Sequence, residues 1–240
     1  CGAHSGEIML CLVVRRDISR DLAGFVREVT QKYPQIVSVV LNINPEKTNV
    51  ILGKKCVTLF GSDTISDVRC GNKVDISPLS FYQVNTVQAE RLYAKALEYA
   101  APDNTKVIVD LYCGAGTIGL SMAKTAGKII GVEIVPQAVE NAGKNAESNN
   151  ITNAEVHCGD SGEVFAKLRS RGSDPDIIVL DPPRKGCSEE TLQTVFGAQP
   201  DKIVMISCNP STAARDAKWL SNNGYSTVKV CGFDLFPRTR

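Results

Sequence analysis

The stretch Val107-Ile-Val-Asp-Leu-Tyr-Cys-Gly-Ala-Gly-Thr-Ile-Gly119 decides the fold. VIVDLY (107–112) has the texture of a short buried strand. Gly114, Gly116 and Gly119 then fit G-x-G-x-x-G between a strand and a helix, the context that motif requires. Glu133 closes the next strand, KIIGVE, nineteen residues after Gly114. A carboxylate there can accept from both ribose hydroxyls of an adenosine-containing cofactor. The glycines alone do not distinguish NAD from S-adenosylmethionine. Bare backbone N–H groups at a helix start suit a pyrophosphate. Asp110 and Tyr112 crowd this turn instead, and suit a zwitterionic amino-acid tail and an adenine better.

Outward from this stretch, strands alternate with helices. A helix spans Thr86–Ala100, with Val87, Leu92, Ala96 and Leu97 inward, and another follows Gly116. After KIIGVE (128–133) a helix runs from Pro136 to about Asn149, then come EVHC (155–158) and a helix from Gly162 to Ser170. DIIVLD (176–181), a helix from Ser188 to Phe196, KIVMIS (202–207), a helix from Ser211 to Asn222 and a last strand, STVKVCGFD (226–234), complete the pattern. This rhythm predicts α/β architecture, a doubly wound parallel sheet with helices on both faces. Ligands bind at the carboxyl ends of such strands, so the residues found there carry the chemistry.

Three of those ends hold further reactive or charged groups. Asp160, in Cys-Gly-Asp-Ser, can meet an adenine amino group or cap the next helix. Asp181-Pro-Pro holds an acid before a loop stiffened by two fixed φ angles, or simply terminates a strand. Arg184 and Lys185 suit a phosphate-bearing substrate, or are solvated surface charge. Cys208, in Ser-Cys-Asn-Pro, is a candidate nucleophile on a rigid scaffold, or a buried structural thiol.

The amino-terminal part has a different texture. EIMLCLVV (7–14) reads as a strand. Ser19 can cap a helix to Lys32, with Leu22, Phe25, Val26 and Val29 on one face. Ile36–Ile43 is a second strand. Val50–Leu52, Lys55–Phe60, Thr64–Arg69 and Asn72–Ile76 read as a small antiparallel sheet. The chain thus divides into an α+β module over 1–76, without detectable chemistry, and the alternating domain over 77–240.

Composition excludes little but is consistent. Apolar residues make up 43% and charged residues 22% of 240, with a net charge of +1. That argues against disorder and against a globally basic nucleic-acid surface. Nine scattered cysteines without a C-x-x-C pair fit a reducing cytoplasm and suggest neither a disulfide framework nor a metal site. No signal peptide or membrane span is legible. The start at Cys1 suggests a piece of something longer.

FYQVN (81–85), DLYCGAGTIG (110–119), GVEIVPQAVENA (131–142), DPPRKG (181–186), SCNPSTAARD (207–216) and the closing DLFPRTR (234–240) together resemble the RNA (uracil-5-)-methyltransferase family, over about residues 77–240. The amino-terminal module is similar to that family's central domain. The resemblance implies a Rossmann-like S-adenosylmethionine-dependent domain, with cofactor contacts at Gln83, Tyr112, Gly114, Gly116, Thr117, Glu133, Asp160 and Asp181. Asp181 would also lie beside the target uracil, and Cys208 would be the nucleophile. The substrate would be RNA, with 23S ribosomal RNA favoured over tRNA because the tRNA enzymes are expected to carry Asn at the positions of Ala115 and Thr117. A cytoplasmic monomer with no metal is expected. In this family the base that removes the C5 proton is a glutamate shortly after Phe-Pro-x-Thr, expected beyond Arg240. An upstream β-barrel or iron–sulfur cluster is another family feature not visible here. Three alternatives stay open on the residues: an NAD-dependent oxidoreductase, which leaves Cys208 and Asp181-Pro-Pro without a task, a non-catalytic RNA-binding protein, and an adenine N6-methyltransferase, which needs no cysteine.

Overall fold

The computed structural model describes residues 1–240 except 48–49, 80–81, 84, 173 and 238–240. Phe81 and Val84 of FYQVN, and the last three residues of DLFPRTR, therefore lie outside the described residues. Two compact units are present: Cys1–Val68 with Lys73–Tyr82, and Arg69–Asn72 with Gln83–Arg240. Relative to a division at 76/77, residues 77–82 join the first unit and 69–72 join the second.

In the first unit, β1 (Ile8–Val14) is followed by a 3-10 turn over Ser19–Leu22, α1 (Ala23–Lys32), β2 (Ile36–Ile43), β3 (Lys55–Gly61) and a hairpin of β4 (Ile65–Arg69) and β5 (Asn72–Ile76). β1 pairs parallel with β2, and β2 pairs antiparallel with β3. The expected antiparallel sheet over 50–76 is thus divided, because β3 finds its ladder on β2. Val50–Leu52 is not a strand: the Asn44 amide donates to the carbonyls of Val50 and Ile51 at 2.8 and 2.9 Å and holds them in a turn. Ser19 does not cap α1; its own N–H donates to Asp17. Val26 is buried under the sheet, whereas Phe25 is 43% exposed.

Asp67 organises the amino terminus of this unit. Its carboxylate, 1% exposed, accepts the N–H groups of Ala3, His4 and Ser5 and the Tyr82 hydroxyl, all between 2.8 and 3.1 Å. Burial pushes this carboxyl up, but the four hydrogen bonds outweigh it and bring the pKa down to about 2. A depressed carboxyl stabilises the fold above its unfolded pKa, and that stability is lost as pH falls through the folded value. Asp67 is therefore expected to contribute roughly 2 kcal/mol at pH 5 that fades toward pH 2. Urea unfolding of wild type and Asp67→Asn at both pH values checks this: the gap between the two proteins should close in acid.

The second unit carries α2 (Thr86–Ala100), β6 (Val107–Leu111), α3 (Thr117–Met122), β7 (Lys128–Glu133), α4 (Pro136–Ser148), β8 (Ala154–Cys158), α5 (Ser161–Arg169), β9 (Ile177–Leu180), α6 (Glu189–Ala198), β10 (Lys202–Met205) and α7 (Pro210–Asn222). The five strands form one parallel sheet in the order β10-β9-β6-β7-β8. Ile108, Ile177 and Val179 face a layer built from Tyr93, Ala96, Ile118 and Met122. Val109, Leu111, Ile178 and Leu180 face Phe165, Leu192, Val195 and Leu220 on the other side. Burial on both faces explains why these strands read as continuous apolar runs.

Two expectations for this unit fail. Val87 is 59% exposed; Ala96 is buried and Leu92 and Leu97 pack against the core as expected, and Ala89, Tyr93 and Ala100 complete the buried face of α2. Ser226–Asp234 forms no strand: Val228 and Val230 are 86% and 85% exposed, and the segment makes no ladder with the described strands. Alternating valines describe a strand only when a neighbour supplies the other half of the hydrogen bonds.

Candidate active site

Register builds the site. Met205 lies beside Leu180, Leu180 beside Leu111, Leu111 beside Val132, and Val132 beside His157. All five strands therefore end in one row, with neighbours about 4.8 Å apart. The chain runs outward from β6 on one side through β7 and β8, and on the other through β9 and β10. The crevice at this reversal is where open parallel sheets bind ligands. Tyr112, Glu133, Asp181 and the Ile206–Asn209 loop all emerge along this edge.

The glycine loop after β6 is fixed from below. Asp110 is fully buried, and its Oδ2 accepts the Gly119 N–H at 2.9 Å. Burial pushes its carboxyl up to about 7; the Gly119 bond works in the other direction, and the nearby Asp181 and Glu133 add to the rise. Asn145, on a buried face of α4, donates to Ala115 O at 3.0 Å. Tyr112 adopts φ +66°, an uncommon conformation for a bulky residue that marks sites where surroundings dictate the backbone. Its hydroxyl lies 3.2 Å from Thr191 Oγ1. Gly114 and Gly116 have φ +56° and +78°. A Cβ added at Gly114 would meet nothing within 4 Å, so that side of the loop is open to a ligand. Thr117 begins α3 and hydrogen-bonds the buried Tyr93.

Glu133 is held by two backbone groups, Gly114 N–H at 3.0 Å and Val135 N–H at 2.9 Å, one on each oxygen. An ionised carboxylate has about four acceptor positions, so each oxygen keeps one for a ligand. Beside it Ile134 is 62% exposed, an apolar surface for a flat ring that the sequence reading missed. Asp160 is the N-cap of α5: Oδ1 accepts from Gly162 and Glu163. Its Oδ2 takes no hydrogen bond from the described residues. Gln83 gives its carbonyl to Arg69, and Asn85 caps α2. An open glycine face, a doubly anchored carboxylate, an exposed aliphatic and a half-used aspartate together fit an adenosine-bearing cofactor.

On the other side of the crevice, Asp181 is mostly buried, which alone pushes its carboxyl up to about 6. Arg184 and Lys185 point outward and are exposed. Cys208 is exposed, which removes the buried-thiol alternative for it. By contrast Cys187 is buried, and desolvation with the neighbouring Asp216 pushes its thiol up to about 12. The SCNP loop is tightly tied: Ser207 and Asn209 bond each other reciprocally, and the Asn209 side chain accepts the Ser211 N–H to cap α7.

The family model described as tRNA (uracil-5-)-methyltransferase matches residues 3–240. The chain belongs to that family. Among its relatives, proteins named uncharacterized RNA methyltransferases from Oceanobacillus iheyensis and Bacillus cereus are 43% and 45% identical over 99% of this chain and 52% of their own length. The chain thus spans about half the length of the curated relatives it matches. A crystal structure of the Pyrococcus abyssi tRNA (uracil-54, C5)-methyltransferase with S-adenosyl-L-homocysteine has 30% identity and a TM-score of 0.72, over 88% of this chain and 49% of that one. A Streptococcus mutans structure named for S-adenosylmethionine-dependent methyl transfer, at 14% identity and TM-score 0.57 over 92% of this chain and 60% of its own, shares the fold. The second unit of this family member is therefore a Rossmann-like domain of the kind that uses S-adenosylmethionine.

Proposed function

We propose that this chain carries the catalytic core of an enzyme that methylates C5 of uracil in RNA, with Cys208 as nucleophile. The observation that carries the reading is the shared edge: an exposed thiol, a mostly buried carboxyl and a glycine loop with an open face end on adjacent strands of a chain that belongs to a uracil-5-methyltransferase family. Gln83, Tyr112, Gly114, Gly116, Thr117, Glu133, Asp160 and Asp181 would hold S-adenosylmethionine, which when bound supplies an electrophilic methyl. Uracil C5 is too weak a nucleophile to use it unaided. The Cys208 thiolate adds to C6, forming an S–C6 bond and pushing the C5–C6 electron pair onto C5 and the O4 enolate. Once C5 is substituted, a base must take its proton so that the pair re-forms C5–C6 and the S–C6 bond breaks. Neither Asp181 nor Glu133 is given that role. The target base has to leave its stack to reach the crevice, and the exposed Arg184 and Lys185 supply positive charge suited to the phosphates of the strand.

Ribosomal 23S RNA is the substrate we favour, because Ala115 and Thr117 stand where the tRNA enzymes are expected to carry Asn. The Pyrococcus likeness supports tRNA as the second reading. Incubating the full-length protein with S-adenosylmethionine and 5-fluorouridine-substituted transcripts of each RNA tests both. Fluorine at C5 cannot leave as a proton, so a methylated covalent complex should persist on a denaturing gel and by mass spectrometry. Its presence with one transcript names the substrate. Its absence from both, with intact S-adenosylhomocysteine binding, would sink the nucleophilic mechanism, and binding of NADH instead would favour an oxidoreductase.

A further inference from the structure

The loop after Asp181 makes few hydrogen bonds of its own. Beyond one turn bond, Gly186 N–H to Pro183 O at 2.8 Å, its main chain is held by side chains of α7 and its cap, more than twenty residues later. Asn209 Nδ2 and Thr212 Oγ1 both donate to Arg184 O at 3.2 Å. Arg215 Nη2 donates to Lys185 O at 3.0 Å and Cys187 O at 3.2 Å. Asp216 Oδ2 accepts the Cys187 N–H at 2.8 Å. Positions 209, 212 and 216 recur at helical spacing and so share one face of α7.

Asp216 is 1% exposed, and its second oxygen is matched by Arg215 through Nε at 2.8 Å and Nη2 at 2.7 Å. A buried carboxylate is tolerable only with such complete pairing. Gly186 has φ +79°, and a Cβ there would lie 2.6 Å from Asp216 Oδ2 and overlap Arg215 Nη2. The pair therefore reaches through the one place in the loop where a side chain cannot be. α7 starts two residues after Cys208, and the loop starts one residue after Asp181, so the same bonds link the two segments that carry the thiol and the carboxyl.

We infer that Arg215 and Asp216 are positioning residues that lock the Asp181–Cys187 loop onto the helix following Cys208, fixing the carboxyl and the thiol for one target base. This rests on the proposed role of Cys208. A displacement near 1 Å of reacting groups can cost about a hundredfold in rate.

The test uses the full-length protein with Arg215→Gln, at a half-exposed position that tolerates change, and Asp216→Asn, which keeps an acceptor for Cys187 but loses the charge pair. Hydrogen exchange of the 182–190 peptide reports the lock, the rate of 5-fluorouridine adduct formation reports its use, and calorimetry with S-adenosylhomocysteine reports the cradle. Faster exchange in that peptide, adduct formation slowed about ten- to a hundredfold, little change in RNA KM, and cofactor-product affinity within about threefold would support the inference. Faster exchange with an unchanged adduct rate would overturn it, as would a slowing that simply matches lost folded protein. A wild-type protein that forms no adduct would instead reject the nucleophile reading, a result separate from either.

Discussion

Cys208→Ala is expected to abolish methyl transfer, lowering turnover by about 10⁴- to 10⁶-fold, the scale of removing a nucleophile whose partners remain in place. Affinity for S-adenosylhomocysteine should stay within a few-fold. The thiol is exposed, so its loss leaves no internal cavity and changes stability by no more than about 0.5 kcal/mol. The other cysteines supply controls. Cys158 and Cys231 are as exposed as Cys208, yet Cys231 lies in the segment after α7 and Cys158 ends β8, two strands beyond the glycine loop. Their alanine variants should form the 5-fluorouridine adduct at the wild-type rate. Cys187 is close to Tyr112 but keeps its proton well above neutral pH, and a thiol, unlike a thiolate, does not add to C6. Methylation by the Cys208→Ala protein at even one per cent of the wild-type rate would remove the thiol from the mechanism.

The alternating strands and helices were legible because burial on both faces leaves a simple signature: Ile177–Leu180 and Ile108–Val109 are apolar at every position because every position is covered. The row of strand ends follows from that pattern almost automatically, which is why Tyr112, Glu133, Asp181 and Cys208 could be named from spacing and resemblance. What escaped was whatever depends on a partner distant in sequence. Val228 and Val230 alternate as a strand would, but periodicity does not report whether a neighbour exists. Val87 falls outside the buried face of α2, which Ala96 shares with Ala89, Tyr93 and Ala100. Arg215 and Asp216 stand in the SCNPSTAARD motif that carries the resemblance, but the motif alone gave them no task. The approach of the loop at Gly186 supplies one: Asp216 is buried there and matched by the half-exposed Arg215. Asn145 was likewise a polar residue on an inward face, recognisable in hindsight as a hydrogen bond to the loop at Ala115.

Asp181→Asn is expected to lower kcat/KM by about 10²- to 10³-fold while making the protein more stable at pH 8. Both effects come from the same burial. Desolvation raises this carboxyl from 3.8 to about 6, so the folded state disfavours its ionised form. The sign follows from linkage: a carboxyl raised on folding costs nothing below its unfolded pKa, and its penalty grows as pH rises through the folded value. At pH 8 the penalty is complete, on the order of 3 kcal/mol, and a neutral asparagine of the same shape escapes it. A buried charge kept at such a cost points to a use for the ionised form, here as an acceptor at the edge where uracil and the sulfonium would meet. kcat/KM reports groups of the free enzyme, so ionisation of Asp181 should give its profile an inflection near pH 6. In Asp181→Asn that inflection should vanish, while one near 7 that survives would belong to the buried Asp110. Thermal unfolding at pH 5 and pH 8, run beside the kinetics, separates the two roles. A variant that loses activity and stability together would make Asp181 a structural residue, whereas lost activity with gained stability at high pH is the signature of a group placed for function.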